Sequence, residues 1–228
     1  MTVFIMELGP APAVREIVKN RSTGLTPLVP LVALGTNGWI WGLYGVLGYN
    51  YFPVAVSNFM ASVLSVIYTV IFYRYTTDRA YAHKVIAFFL AFDAAATGYA
   101  YLAVSYFGQP RAEVQSVMGV IGILTVFMFF ASPSENIALV FRHRTGAYIP
   151  IELVTVGAIN SFFWSFYALL QADWILFAPN FGALLLGVAQ IAFYFAFHPS
   201  KAQPEVVDPA SVEMPLTKQS AGYGTVHA

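Results

Sequence analysis

The sequence predicts an all-α membrane protein with seven transmembrane helices, arranged as two parallel three-helix bundles joined by one linker helix (3+1+3). Composition, recurrent apolar stretches and an internal repeat predict this fold. Of the 228 residues, 58% are hydrophobic and 10% are charged, whereas a soluble domain carries about a quarter charged residues. The net charge of zero gives no sign of a nucleic-acid partner. Without cysteine, the chain forms neither disulfides nor thiolate metal sites.

Apolar stretches recur along the chain, and most are long enough to cross a hydrocarbon core of about 30 Å. They lie near residues 1–14, 26–48, 52–73, 85–107, 114–133, 147–170 and 174–197. The first would rise only about 21 Å as a helix. Either the start of the chain is missing, or this helix begins within the outer interface. No basic segment precedes it, which disfavours a signal peptide.

The basic residues predict the orientation. Ten of the eleven follow the first, third or fifth span or lie in the tail, and only Arg111 lies on the other side. Because positive residues are retained in cytoplasmic loops, we expect an outside N-terminus and a cytoplasmic C-terminus in a multi-pass protein, with the plasma membrane favoured. The tail at 199–228 has few large apolar residues, so we expect it to be disordered.

The second half of the chain repeats the first at offsets of 120 to 123 residues. "NGWIWGLYG" at 37–45 matches "NSFFWSFYA" at 160–168, and Asn58 matches Asn180. A single linker span returns the chain to its starting side, so the two repeats are parallel. Transporters commonly place substrate between such repeats. We therefore divide the chain into a first repeat (1–80), a linker (81–110), a second repeat (111–198) and the tail (199–228).

The chain resembles the SWEET sugar transporter family, within the PQ-loop superfamily, over about residues 1–197. The proline-plus-basic-loop blocks, the "YG" at 44–45 and the paired asparagines carry the resemblance. It implies a facilitative, bidirectional sugar uniporter that works by alternating access, as its two bundles rock against each other. The implied partners are a small-molecule sugar and the lipid bilayer, and a homo-oligomer is left open. It implies neither an enzyme nor a cofactor.

Asn58 and Asn180 are the leading candidates for substrate binding. An amide offers two donors and an acceptor, which suits sugar hydroxyls. The alternative role is interhelical hydrogen bonding, but matching positions in both repeats favour binding.

Trp41 and Trp164 can stack on a sugar ring, and their alternative is an interfacial aromatic belt, which fits Trp39 better. Two indoles should narrow the site, so we expect monosaccharides such as glucose rather than disaccharides.

The resemblance also implies hinges and an extracellular gate. Prolines inside helices remove a backbone hydrogen bond and produce kinks, and kinks at matching places would let one bundle rock against the other. The gate is implied at Tyr44 and Asp173. The first repeat has no charge in the loop "LGYNYF" that matches Asp173's loop, so the gate should be asymmetric. The four hinge candidates are Pro12, Pro30, Pro133 and Pro150.

Two other classes remain open. Acids within spans usually have functions, and Glu7, Asp93 and Glu152 lie within or near spans. Asp93 or Glu152 could make the protein a proton-coupled PQ-loop carrier of amino acids or similar solutes. A seven-helix receptor or retinal protein has the same topology, but the seventh span contains no lysine for retinal. The four histidines lack metal-site spacing, and no nucleotide-binding motif is present, so a gradient must drive any transport.

Overall fold

The computed structural model describes residues 8–24, 26–143, 145–146, 149 and 151–197, without the side chains of 127–139, 141, 143 and 153. This part of the chain forms seven α-helices, which confirms the predicted fold class. A π-helical turn at Tyr51–Ala55 leads directly into the third helix. The helices are α1 (Ala11–Asn20), α2 (Leu28–Leu47), α3 (Val56–Tyr75), α4 (Arg79–Ser105), α5 (Arg111–His143), α6 (Ile151–Leu170) and α7 (Trp174–Ala196).

The helices pack as two bundles connected by α4. In the first bundle α3 contacts both α1 and α2, and in the second α7 contacts both α5 and α6. The bundles meet where α2 packs on α5, and α4 contacts both of these helices. Small side chains on α4 allow this approach, because Ala96 and Ala100 are buried against Ile40 of α2 and Met118 of α5.

The protein is an integral membrane protein. Within the described residues, three helical segments are long and apolar enough to cross a membrane: Tyr51–Tyr75, Arg79–Ser105 and Trp174–Ala196. In lipid, backbone polar groups must be satisfied within the segment, which favours helices.

Two helix boundaries differ from the predicted spans. Helix α5 runs through Pro133 to His143, ten residues past the predicted end of its span. A low-polarity environment offers few alternative partners for backbone groups, so continuing the helix costs less than unwinding it at proline. Arg15 and Lys19 belong to helix α1 rather than to a loop. Half of the predicted first span, residues 1–7, lies outside the described residues.

The turns that follow α2 and α6 have the same backbone geometry. Tyr49 and Ala172 both adopt left-handed conformations, with φ of 57° and 53°. Each is followed by a residue whose N–H reaches back five positions, the bond typical of a Schellman motif. Asn50 and Asp173 therefore occupy corresponding positions. The bonds are Asn50 N to Gly45 O (2.7 Å) and Asp173 N to Ala168 O (2.9 Å).

Gly38 is expected to be essential to the α2–α3 contact. A Cβ added there would lie 2.6 Å from the backbone oxygen of Asn58, which has no room to move. Gly38→Ala should therefore destabilise the protein by about 1–3 kcal/mol and lower Tm by about 2–12 °C in a thermal unfolding assay. Gly98→Ala on α4 is the control, because nothing lies within 4 Å of its added Cβ. Equal Tm values for the two variants would contradict this account.

Candidate functional site

A cavity of about 160 Å³ lies between the two repeats. Helices α2 and α3 contribute to it from the first repeat, and α5, α6 and α7 from the second. It contains the four side chains predicted to bind substrate. Its lining residues are Asn37, Trp41, Asn58, Val126, Asn160, Trp164, Leu176, Pro179, Asn180 and Ala183.

Asn58 and Asn180 have equivalent local geometry. Each side-chain Nδ2 donates to the backbone oxygen four residues earlier, Val54 at 2.9 Å and Leu176 at 2.8 Å. That bond fixes the amide against its own helix while using one of its two N–H donors. The second donor and Oδ1 bond to no described residue, so each amide keeps a donor and an acceptor for a ligand.

Trp41 and Trp164 are held edge-on by tyrosines one helical turn later. Trp41 lies 5.2 Å from Tyr44, and Trp164 lies 5.9 Å from Tyr167, measured between ring centroids. Only 5% of Trp41 is exposed, so it does not belong to an interfacial belt. Trp39 does not fit an interfacial belt either. Its Nε1 donates a hydrogen bond to Thr97 of α4 at 2.8 Å, so this N–H is not available to the membrane interface.

A second pair of asparagines also lines the cavity, and the sequence analysis did not assign it to binding. Asn37 donates to Thr125 Oγ1 at 2.7 Å. Asn160 Oδ1 is buried and has no hydrogen-bond partner among the described residues. An orphaned buried acceptor is uncommon, and in a binding cavity it suits a ligand that donates. The sequence contains one indication of this role. Asn37 precedes Trp41 by four residues, and Asn160 precedes Trp164 by four, so each asparagine shares a helix face with a tryptophan that is predicted to bind substrate.

Two reciprocal hydrogen bonds join the repeats at one end of the cavity, beside the turns that follow α2 and α6. Tyr44 Oη donates to Asp173 Oδ1 at 2.6 Å, and Tyr167 Oη donates to Asn50 Oδ1 at 3.0 Å. Asp173 Oδ1 also accepts from Leu176 N at 3.0 Å, which caps α7. The two bonds therefore differ in charge, which is the asymmetry that the sequence predicts, because one acceptor is an aspartate and the other is an asparagine. The geometry is reciprocal, and the sequence analysis missed the bond between Tyr167 and Asn50.

The hinge candidates occupy different positions in their helices. Pro12 and Pro30 lie in the first turns of α1 and α2, where no intrahelical N–H bond is lost. Pro133 lies in the interior of α5, and Pro150 lies outside the described residues. Pro179, which the sequence analysis passed over, lies inside α7 beside Asn180. There it leaves one backbone oxygen without its helical donor.

Of the acids considered for proton coupling, the structure describes the side chains of Asp93 and Glu152, and neither lines the cavity. Asp93 Oδ2 accepts from Thr36 Oγ1 at 3.1 Å between α4 and α2. Glu152 is exposed in the first turn of α6, where the helix dipole favours a negative charge. Glu7 lies outside the described residues. The described side chains that line the cavity are all uncharged, which suits a neutral polar ligand.

Two parallel helix repeats in a membrane, with a neutral polar cavity between them and a closure at one end, define a transporter of small uncharged solutes. The chain belongs to the family described as sugar efflux transporter for intercellular exchange, whose sequence profile matches residues 1–80 and 116–202.

Individual relatives share this family. The chain is 27% identical over 185 residues to sugar transporter SWEET1 of Drosophila pseudoobscura pseudoobscura, covering 81% of this chain and 80% of the relative. It is 26% identical over 220 residues to bidirectional sugar transporter SWEET8 of Arabidopsis thaliana, covering 95% and 92%. A eukaryotic SWEET transporter solved at 3.7 Å has the same fold, with a TM-score of 0.77, 24% identity, and coverage of 88% and 93%.

Proposed function

We propose that this protein is a bidirectional uniporter of monosaccharides such as glucose. The observation that carries the proposal is the uncharged cavity between the repeats, with an asparagine and a tryptophan from each repeat. Amides suit hydroxyls that both donate and accept, and flat indoles can cover a sugar ring, since binding pockets combine apolar walls with few polar groups. The family and the names of its sugar-transporting members support this choice.

Asn58, Asn180, Trp41 and Trp164 bind the sugar in this proposal, and the orphaned oxygen of Asn160 accepts a further sugar hydroxyl. The cavity volume of about 160 Å³ is well below the roughly 300–1,000 Å³ of sites for drug-sized ligands. A small site favours one sugar ring over two. The absence of ionisable side chains from the described cavity lining disfavours the proton-coupled alternative.

Alternating access follows from the closure at one end. Separation of Tyr44 from Asp173 and of Tyr167 from Asn50 opens the outer end, while the two repeats rock about the proline positions: Pro12, Pro30, Pro133 and Pro150. The family profile matches 1–80 and 116–202 as separate segments, which supports repeats at 1–80 and 111–198 around a linker at 81–110. The excess of basic residues supports a cytoplasmic C-terminus, and we assign the protein to the plasma membrane.

Counterflow in proteoliposomes tests the proposed function. Purified protein should exchange labelled glucose across the membrane and move sucrose more slowly, in both directions. An imposed pH gradient should leave the final glucose distribution unchanged, because a uniporter only equilibrates its substrate. Accumulation of glucose driven by the pH gradient would establish proton coupling instead. Protein that binds and moves neither sugar would overturn the monosaccharide proposal.

Trp164→Ala should enlarge the cavity and relax the preference for monosaccharides. We expect the ratio of sucrose to glucose transport to rise about tenfold, which corresponds to about 1.4 kcal/mol. The measurement is competing uptake of the two labelled sugars. Trp174→Ala is the control, because this tryptophan is 64% exposed and lies outside the cavity lining. An unchanged ratio in a well-folded Trp164→Ala variant would show that this indole does not limit substrate size.

A further inference from the structure

We propose that the first repeat binds one anionic phospholipid from the cytoplasmic leaflet in a crevice that faces the bilayer. The crevice has a volume of about 760 Å³ and lies between α2, α3 and α4. It shares no lining residue with the central cavity. Val66, Val70 and Leu90 are among its lining residues and are 61%, 62% and 62% exposed. It therefore opens sideways, toward the hydrocarbon of the membrane.

Most of the polar groups that line the crevice are hydrogen-bonded within the protein. Asp93 Oδ2 accepts from Thr36, and Oδ1 is a buried oxygen without a hydrogen-bond partner among the described residues. Three hydroxyl donors on the wall are used by backbone oxygens, so a sugar would find few partners there, whereas an acyl chain needs none. These bonds are Ser62 to Gly35 (2.8 Å), Ser65 to Leu31 (2.6 Å) and Thr97 to Asp93 (2.7 Å).

An acyl chain in the crevice does not by itself distinguish one phospholipid from another. A space open to the hydrocarbon region is filled by whichever acyl chain lies nearest, and lipid tails are as apolar as leucine side chains. Discrimination between lipids must then occur where the headgroup lies. For this crevice, that place is the end formed by the last turn of α3 and the first turns of α4.

One face of α4 connects the crevice to basic side chains. Residues 79, 83, 86, 90, 93 and 97 recur at intervals of three and four, so they share a face. The last four line the crevice, and the first two are the exposed Arg79 and His83. Tyr73 also lines the crevice. It has the Arg79 guanidinium 5.4 Å from its ring centroid and His83 Nε2 2.7 Å from its hydroxyl.

These contacts place a cation at the mouth of the crevice. A guanidinium is well suited to phosphate, because it can donate two parallel hydrogen bonds. The neighbouring Asp78 carboxylate accepts from Tyr81 N at 2.9 Å and caps α4, so its negative charge is held at the N-terminus of that helix. Basic pockets between transmembrane helices on the cytoplasmic side are favourable sites for anionic headgroups. An anionic phospholipid matches both the basic mouth and the apolar wall of the crevice. Its phosphate would lie at Arg79, and one acyl chain would run along Tyr73 toward Asp93.

The bound lipid would pack against α2, the helix that also lines the central cavity. Helix α2 presents Thr36 and Trp39 to the crevice and Asn37 and Trp41 to the central cavity. An acyl chain packed against one face of α2 therefore supports the helix whose other face meets the solute. We expect transport to be faster in vesicles that contain phosphatidylglycerol than in vesicles of phosphatidylcholine alone.

Native mass spectrometry of the full chain, purified with equal amounts of phosphatidylglycerol and phosphatidylcholine, tests the site. The wild type should retain one phosphatidylglycerol in preference. Arg79→Gln should lower that retention about fivefold, the effect of one juxtamembrane basic residue. Lys84→Gln also removes one positive charge. Because Lys84 lies next to His83 but off the helix face that lines the crevice, this change should lower retention less. Ala94→Phe fills the crevice from its wall and should abolish retention with the basic mouth intact.

Three results would overturn the proposal. They are equal retention of the two phospholipids by the wild type, equal losses in Arg79→Gln and Lys84→Gln, or unchanged retention in Ala94→Phe. Equal losses would show attraction to surface charge in general, and preferential recovery of an uncharged lipid would assign the crevice to a different occupant. Ala94→Phe decides the matter even if Arg79→Gln fails to fold. None of these outcomes depends on which solute the protein transports.

Discussion

Asn58→Ala and Asn180→Ala are each expected to lower glucose transport at least about tenfold. Either change removes an amide from the cavity and leaves a sugar hydroxyl unpaired in a water-poor site, at a cost of about 1–3 kcal/mol. The effects should not add in the double variant, because both amides contact one ligand. The measurement is the initial rate of labelled glucose uptake in cells without other hexose carriers, normalised to the amount of protein at the surface.

Controls separate binding from helix stability, because each amide also bonds its own backbone. Asn20→Ala removes an exposed asparagine whose Nδ2 contacts only Glu16 at 3.2 Å, and its uptake should equal that of the wild type. Glucose should raise the Tm of the wild type and fail to raise that of either cavity variant. Wild-type uptake in well-expressed Asn58→Ala or Asn180→Ala would limit the role of that asparagine to the bond within its own helix and refute the binding site.

Tyr44→Phe is expected to open the outer end and to slow transport by about tenfold. The change keeps the ring that packs on Trp41 and removes the bond to Asp173 at 2.6 Å. A hydrogen bond to a charged group contributes about 1.5–3 kcal/mol, and one between neutral groups about 0.5–1.5 kcal/mol. Tyr167→Phe, which breaks the neutral bond to Asn50, should therefore have the smaller effect.

Labelling provides a direct measure of this closure. The chain contains no cysteine, so Ala183→Cys places a single thiol in the cavity lining. A membrane-impermeant maleimide added from outside should react fastest in Tyr44→Phe, more slowly in Tyr167→Phe and slowest in the unmodified background. The same labelling rate in all three backgrounds would show that these bonds do not hold the outer end closed.

Several site features could be predicted because they are local or repeated in the sequence. Asn58 with Asn180 and Trp41 with Trp164 recur at matching places in the two halves, and a parallel repeat brings matching positions to a common axis. The structure places all four around one cavity. The prediction of a gate at Tyr44 and Asp173 came from the family resemblance, and the two side chains are bonded. Their roles in transport await the uptake and labelling experiments.

The sequence by itself determined the membrane class, the seven helices, the repeat and the family, because hydrophobic periodicity and duplicated motifs are properties of neighbouring residues. Only the tertiary structure decided that Tyr167 bonds to Asn50, that Asn160 Oδ1 lacks a partner among the described residues, and that α2, α3 and α4 leave a crevice beside Asp93. Tyr167 and Asn50 lie 117 residues apart. Such contacts depend on how whole helices pack against one another, which no local pattern of residue types specifies.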